Sequence, residues 1–163
     1  MNATAKLTDL IGALEFESPD YITRYDRQEG RIVMVEECVL RSVEQGDEDV
    51  PEGLPKWQQE QHDTARAMEA DFGERFIAPP SRFEFHEYSH MERFIGSVED
   101  ESASEQLWRA IKGKGAFRYF KDTLHRLGLQ DEWYRYREKA MKKFVIDWAE
   151  ENKVPYTDDL REK

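Results

Sequence analysis

The chain has 163 residues and a mass of 19.3 kDa, a size that corresponds to one domain. Aromatic residues make up 12% of it, which excludes a disordered chain over most of the length. The formal charge of −11 argues against a protein that coats nucleic acid or anionic membranes.

Features linked to cellular location point to the cytoplasm. Cys38 is the single cysteine, so no internal disulfide can form, which is typical of a reducing compartment. The first 16 residues lack a basic n-region and contain Asp9, so we expect no signal peptide. The longest strongly apolar run, residues 32–35, is far too short to span a bilayer. We therefore expect a cytoplasmic protein that makes no membrane contact.

Charge is distributed unevenly along the chain. Residues 1–107 carry 10 basic and 25 acidic side chains, whereas residues 108–146 carry 11 basic and 4 acidic ones. The sequence therefore predicts a polarised molecule whose basic surface lies in the C-terminal third.

The N-terminal part is predicted to be mixed in structure. Apolar residues at helical spacing indicate a helix over residues 5–14, and a second short helix is expected over 37–45. Side chains alternate over 20–27, and Gly30 tolerates the positive φ of a tight turn, so residues 31–36 are expected to return as a second strand. These two segments therefore predict a β-hairpin.

The remainder is predicted to be mainly helical. The acidic, Pro- and Gly-containing stretch GDEDVPEGLP, residues 46–55, is expected to be a loop. Apolar residues from Trp57 to Phe72 recur at spacings of 3 and 4, which indicates a helix that Gly73 ends. A short strand is expected over 74–78. Further helices are predicted over 86–98, over 102–113 with a capping box of Ser102 and Glu105, between Gly115 and Gly128, and over 131–150.

Together these elements predict an α+β fold, in which an N-terminal β-hairpin with packed helices leads into a mostly helical C-terminal half. Residues 1–50 are expected to form an α/β-hairpin subdomain and residues 51–152 a helical subdomain of the same domain. We expect residues 153–163 to be a frayed tail. Trp133, Phe144 and Trp148 share one stripe of the longest helix and are predicted to be largely buried.

The segment with most chemical character is residues 111–128, in which Gly113 and Gly115 flank Lys114 just before a predicted helix. Free N–H groups at a helix N-terminus, together with nearby cations, are the parts of an anion site. Its candidate residues are Lys112, Lys114, Gly115, Arg118 and Lys121. The glycine spacing matches neither the phosphate-loop pattern nor the dinucleotide fingerprint. The alternative is a solvated basic face that pairs with the acidic remainder of the protein.

His86 and His90 are four residues apart and could share a zinc ion on one helix face. A third ligand at suitable spacing is missing. His86 is better interpreted as a residue that caps or packs at the helix start, and His90 as partly exposed. The sequence therefore assigns no metal, no cofactor and no catalytic residue.

Three stretches of the chain resemble a known bacterial family. They are GKGAFRYFKDTL, DEWYRYREKAMKKFVIDWAEE and PKWQQEQHDTARAMEADFGERFIAPPSRFEFHEYSHMERFIGSV. Together they resemble the uncharacterised protein family UPF0158 over residues 54–150, with a looser resemblance in the hairpin half. Because that family is defined by sequence alone, the resemblance implies no catalytic residue, ligand or cofactor.

Three functions of different classes remain open from the sequence. The favoured one is a small acidic interaction or regulatory protein without catalysis, because the acidic N-terminal block offers a surface to a basic protein partner. The alternative is a module that binds phosphate or nucleic acid through residues 109–126. A metal-dependent enzyme is the second alternative. The sequence sets neither the partner nor the oligomeric state.

Overall fold

The computed structural model describes residues 3–16, 18–46 and 52–160. The chain divides into two compact units: unit 1 comprises residues up to 82 together with those from 145 onward, and unit 2 comprises residues 83–144. The subdomain boundary predicted after residue 50 falls inside unit 1, because residues 56–70 pack against residues 31–44. The end of the chain also belongs to unit 1, because it pairs with the N-terminal strand.

Unit 1 is the mixed part of the fold. Its strands are β1 (Ala5–Lys6), β2 (Tyr21–Asp26), β3 (Arg31–Glu36), β4 (Phe76–Ile77) and β5 (Tyr156–Thr157). Its helices are α1 (Leu7–Glu15), α2 (Glu37–Glu44) and α3 (Lys56–Ala70). The order β3-β2-β4 makes an antiparallel sheet, and β1 pairs with β5 in parallel. Residues 47–51 of the predicted acidic loop lie outside the described residues.

The predicted β-hairpin is confirmed, with a register that runs from Tyr21↔Glu36 to Asp26↔Arg31. Gly30 closes its turn with a φ of 70°, and its N–H donates to the Asp26 carbonyl at 2.8 Å. A Cβ at this glycine would lie 2.8 Å from the Cβ of Ala3. Both the backbone conformation and the passing N-terminal segment therefore require glycine at this position.

The segment after residue 152 differs from the frayed tail that the sequence predicts. Its strand β5 pairs with β1, and both oxygens of the Asp159 carboxylate accept hydrogen bonds from Thr8, one from the main-chain N–H at 3.0 Å and one from the hydroxyl at 2.5 Å. Thr8 lies in the first turn of α1, whose N–H groups have no partner within the helix. Residues 161–163 of the predicted tail lie outside the described residues.

Unit 2 is helical. It contains α5 (Glu87–Ser97), α6 (Glu101–Ala110) and α7 (Ala116–Leu127), with α4 (Arg82–Phe85) at its start and most of α8 (Gln130–Glu151) at its end. Its core includes the aromatic side chains of Phe94, Phe120 and Trp133. The rings of Phe94 and Phe120 both contact the Trp133 ring edge to face, at centroid distances of 5.3 and 4.9 Å. Arg137 and Glu87 form a mostly buried ion pair at 2.5 Å in the same unit.

Several local predictions need correction. Helix α6 is capped by Asp100, whose carboxylate accepts from the Ala103 N–H at 2.9 Å, and the Ser102 capping box is not formed. Of the apolar stripe on α3, only Ala65 is fully buried, since Trp57 is 58% exposed and Phe72, just past the helix end, is 98% exposed.

The buried faces of the last two helices follow the predicted stripes in part. Trp133 and Trp148 are buried, whereas Phe144 is only half-buried. On α7, Phe120 is buried but Phe117 is exposed. The predicted α+β class, with a mostly helical C-terminal half, is nevertheless confirmed. Across the described residues, no helix combines the length and low polarity that crossing a membrane requires.

Candidate functional site

The basic segment predicted as an anion site lies on the surface of unit 2. Its four cations, Lys112, Lys114, Arg118 and Lys121, are all exposed. Within the described part of the chain, none of the four has an ion pair or a side-chain hydrogen bond. The positive charge of this segment is therefore not neutralised by a direct partner in the same unit.

These cations do not converge on one point. Lys112 lines a cleft of about 710 Å³ between α6 and α7, together with Arg109, Arg126 and Tyr119. At about 100° per residue, Arg118 lies about 105° and Lys121 about 165° around α7 from the mean direction of the cleft-lining side chains of that helix. The structure thus separates the predicted set into a cleft and an outer face.

The cleft already holds internal contacts. Arg109 forms an ion pair with Glu105 at 2.5 Å, and Arg126 donates to the Gln106 side-chain oxygen at 2.9 Å. Gly115 at the start of α7 has a φ of 77°, and a Cβ there would lie 3.1 Å from the Tyr119 ring. The turn and the packing of Tyr119 therefore account for this glycine without a ligand.

The two histidines considered as metal ligands make local contacts. His86 is the N-cap residue of α5 with a φ of 56°, and its Nδ1 contacts the hydroxyl of Ser89. The His90 ring stacks on Phe85 at 4.3 Å, and burial together with the nearby charge of Arg93 lowers the pKa of His90. In the described ranges, no three His, Cys, Asp or Glu residues lie close enough to hold a metal ion.

Unit 1 contains an open groove that the sequence does not reveal. It has a volume of about 730 Å³ and lies between α1, the β2–β3 hairpin and the first half of α3. Four large apolar side chains line it and are 39–58% exposed, namely Phe16, Tyr21, Met34 and Trp57. The rings of Phe16 and Tyr21 meet edge to face at 6.4 Å. A contiguous set of exposed apolar side chains of this kind is typical of an interaction surface.

Charged groups in the groove are predominantly acidic. Asp9 and Glu60 line it, and Asp9 has no ion-pair partner among the described residues. The one lining cation, Arg31, forms an ion pair with Glu29 at 2.5 Å. Unit 1 as a whole carries 12 basic and 24 acidic residues, a charge of −12, whereas unit 2 has a charge of +1. The groove therefore lies in the acidic part of the protein.

Sequence reasoning missed this groove because its residues have the pattern of core residues. Trp57 shares a helical stripe with Ala65, and Met34 lies in the apolar run of the second predicted strand. Apolar periodicity identifies a face of a helix or strand, but it does not show whether another element covers that face. Only the packing of α1, β3 and α3 reveals that these side chains are left uncovered.

Fold and groove together define an α+β protein with an open apolar groove in its acidic unit. The chain belongs to the family described as "Uncharacterised protein family (UPF0158)", whose profile matches residues 7–161 and confirms the resemblance seen in the sequence. It is 31% identical over 65 residues to UPF0158 protein PA5073 of Pseudomonas aeruginosa. That match covers 39% of this chain and 42% of the relative. No solved structure matches the chain.

Proposed function

We propose that this protein is a cytoplasmic interaction or regulatory protein without catalysis, and that its groove in unit 1 binds a basic segment of a protein partner. The observation that carries the proposal is the set of four large apolar side chains exposed along one groove, Phe16, Tyr21, Met34 and Trp57. The lone Cys38 is consistent with a reducing compartment.

Apolar contact supplies most of the expected affinity. Single exposed apolar residues are common on protein surfaces, but a contiguous set is rare unless it binds something. Trp57 is the expected centre of the interaction, because tryptophan is enriched among the residues that dominate binding energy. Its indole is 58% exposed in the absence of a partner, so a docked segment can bury a large apolar surface there.

Charge favours a basic partner. Asp9 has no ion-pair partner within the described residues, and Glu60 contacts only the distant amino group of Lys56 at 3.8 Å. The surrounding charge of −12 on unit 1 attracts cationic segments and repels acidic ones. A segment with apolar residues and flanking Lys or Arg complements both features of the groove.

The test uses short capped peptides labelled with fluorescein, with binding followed by anisotropy at low salt. One basic probe alternates Lys and Val and favours a strand, the other places Leu and Lys at helical spacing, and each has a counterpart with Glu in place of Lys. At least one basic probe should bind, and both acidic counterparts should not.

Two variants locate the binding. Trp57→Ala should weaken binding at least about tenfold, because it removes the largest and most exposed of the four apolar side chains that line the groove. Phe72→Ala is the matched control, since this ring is 98% exposed but lies outside the groove, and it should leave the affinity unchanged. If neither basic probe binds, or if both variants weaken binding equally, the proposal is wrong.

A second candidate function is the binding of phosphate groups or nucleic acid by unit 2. It is supported by the exposure of Lys114, Arg118 and Lys121, which have no direct partner among the described residues. Three phosphate contacts on duplex DNA would give a slope near −2.7 in log affinity against log salt, about 0.9 per contact. Reversing all three cations to Glu should abolish binding and leave the thermal midpoint nearly unchanged.

The cleft provides the comparison for this second candidate. Lys112→Glu with Arg126→Glu reverses two cations of the α6–α7 cleft and leaves the outer face intact. The triple variant changes the outer face of α7, and the double variant changes the cleft. If only one of the two variants loses oligonucleotide binding, the nucleic acid binds at the surface that this variant changes. If wild-type protein binds no labelled oligonucleotide even at low salt, this candidate function is excluded.

A further inference from the structure

Strand β3 lies at the edge of its sheet. The strand order within the described residues is β3-β2-β4, so β3 pairs with β2 on one side only. Four consecutive residues of β3, 31–34, line the groove. Successive side chains of a strand point to opposite faces, so the groove contacts both faces of β3 around its edge, and it continues onto β2 at Tyr21 and Thr23. The unpaired side of β3 therefore opens into the groove.

Hydrogen bonds at the end of β3 show which main-chain groups face outward. The Glu37 N–H donates to the Asp20 carbonyl at 2.8 Å, in the direction of β2. The Glu36 N–H donates instead to the Gln61 side-chain oxygen of α3 at 2.6 Å, away from β2. Main-chain groups alternate in direction along an antiparallel strand. Ile32 and Met34 therefore direct their N–H and C=O groups to the same side as Glu36, away from β2.

The opposite side of the sheet agrees with this assignment. Tyr25 pairs with Ile77 of β4, and the Arg27 N–H donates to the Arg75 carbonyl at 2.9 Å. Odd-numbered residues of β2 therefore face β4, which leaves its even-numbered residues to bond with β3. Their register partners in β3 are the odd-numbered Val33 and Val35, so the even-numbered Ile32 and Met34 are left outside the ladder.

The side chain of Gln61 makes a hydrogen bond to β3 that a docked strand would also make. Its amide oxygen accepts from the Glu36 N–H in the place where the carbonyl of a further strand would accept. Beyond it, Ile32 and Met34 present two donors and two acceptors that no described residue satisfies. A strand laid beside β3 could form four main-chain hydrogen bonds with these groups.

We propose that the basic partner segment binds as an extended strand that pairs with β3 at Ile32 and Met34, an inference that rests on the proposed docking function of the groove. Strand addition of this kind takes affinity from main-chain hydrogen bonds and specificity from alternate side chains. Alternate apolar residues of the segment contact Trp57 and Phe16, and the intervening Lys or Arg residues lie near Asp9 and Glu60. The partner motif is therefore an alternation of apolar and basic residues in a stretch without proline.

The decisive experiment methylates main-chain nitrogens of the labelled Lys–Val peptide. One isomer carries N-methyl groups on the Lys residues and the other carries them on the Val residues, so that each isomer blocks one edge of the peptide strand. The isomer whose blocked edge faces β3 should lose affinity by at least about tenfold, since its N–H groups no longer donate to the Ile32 and Met34 carbonyls and the methyl groups clash. The other isomer should bind as the unmodified peptide does.

Amide exchange in the protein gives a second readout. In the free protein, the N–H groups of Ile32 and Met34 should exchange faster than those of Val33 and Val35, which lie in the ladder with β2. At a peptide concentration 100 times the Kd, exchange at Ile32 and Met34 should slow by about 100-fold.

Failure of this inference is distinguishable from failure of the docking function. If the helical probe alone binds, or if both methylated isomers bind equally while Trp57→Ala still weakens the unmodified peptide, strand addition is wrong and the docking groove stands. If neither basic probe binds, the docking function itself is wrong. Equal exchange rates at all four β3 amides in the free protein would also overturn the assignment of the free edge.

Discussion

The ion pair between Asp26 and Arg75 joins the end of β2 to the residue that precedes β4. Arg75 donates from Nε and from one terminal nitrogen to the two carboxylate oxygens, both at 2.9 Å. The same carboxylate accepts from the Gln28 N–H at 2.9 Å in the hairpin turn. The side chain of Asp26 is 2% exposed, so this buried charge depends on these donors.

We expect Asp26→Ala to lower the free energy of unfolding of unit 1 by about 3 kcal/mol near neutral pH. Removing one partner of a buried pair costs about 3–5 kcal/mol, because the other charge loses its compensation. The lower end applies here, since the Arg75 side chain is 32% exposed and water can solvate part of it. Urea unfolding measures the change, and Asp63→Ala is the control, because this carboxylate is 75% exposed with only a weak contact to Arg66 at 3.6 Å.

The same pair predicts a dependence on pH. Burial raises the pKa of Asp26, but the hydrogen bonds from Arg75, Gln28 and Glu29 outweigh burial and hold the pKa below its ordinary value of 3.8. A carboxyl whose folded pKa is lowered stabilises the fold above its unfolded pKa and loses that contribution as the pH falls. Wild-type stability should therefore decrease as the pH drops through 3.8 towards the folded value.

Asp26→Ala should remove part of this acid sensitivity and leave the rest. Hydrogen bonds from the main-chain N–H groups of Phe76, Arg75 and Gly73 outweigh the burial that raises the pKa of Asp71, and the bonds from Thr8 lower the pKa of Asp159. Both carboxyls lie in unit 1 and remain in the variant. If Asp26→Ala costs less than about 1 kcal/mol, or if its stability falls with pH in parallel with wild type, the role assigned to the pair is refuted.

Further predictions concern packing, each measured by urea unfolding. Gly30→Ala should destabilise the protein by at least about 1 kcal/mol more than Gly46→Ala, because both glycines have positive φ but only the first has atoms within 3 Å of the added Cβ. Tyr25→Phe should leave stability unchanged or raise it by up to about 1 kcal/mol, because the buried hydroxyl has no hydrogen-bond partner among the described residues. Phe120→Ala should cost about 3–5 kcal/mol, whereas the exposed Phe117→Ala should cost under about 1 kcal/mol.

Local signals were sufficient to predict the β-hairpin and the main helices of this fold. The strand predicted over 31–36 matches β3 in its observed bounds, and the positive φ that Gly30 supplies gives the hairpin turn. Gly115 and Gly128 both adopt positive φ and flank α7 as expected. In each case the interactions that form the strand, turn or helix end join residues close together in the sequence, so the sequence pattern is sufficient to predict that element.

Long-range contacts account for what the sequence did not predict. The bond between Thr8 and Asp159 joins residues 151 positions apart, and β5 is only two residues long, too short for a pattern to indicate a strand. Through these two contacts, residues 156–159, which the sequence predicts as a frayed tail, belong to unit 1. The split of the basic segment has a similar origin, since Lys112 precedes α7 and its position is set by the neighbouring α6.

The groove depends both on local sequence signals and on long-range contacts. Its four exposed apolar residues are evident in the sequence, but the apolar run of β3 does not show whether the strand is central or at an edge of the sheet. That distinction depends on Gln61, which satisfies the Glu36 N–H and shows that no further strand occupies this side of the described sheet. The groove combines a free strand edge, exposed aromatic side chains and acidic residues, and these come from three separate segments of the chain. An exposed edge of this kind is a template for pairing with another chain, and this pairing is the contact that the proposed partner strand makes.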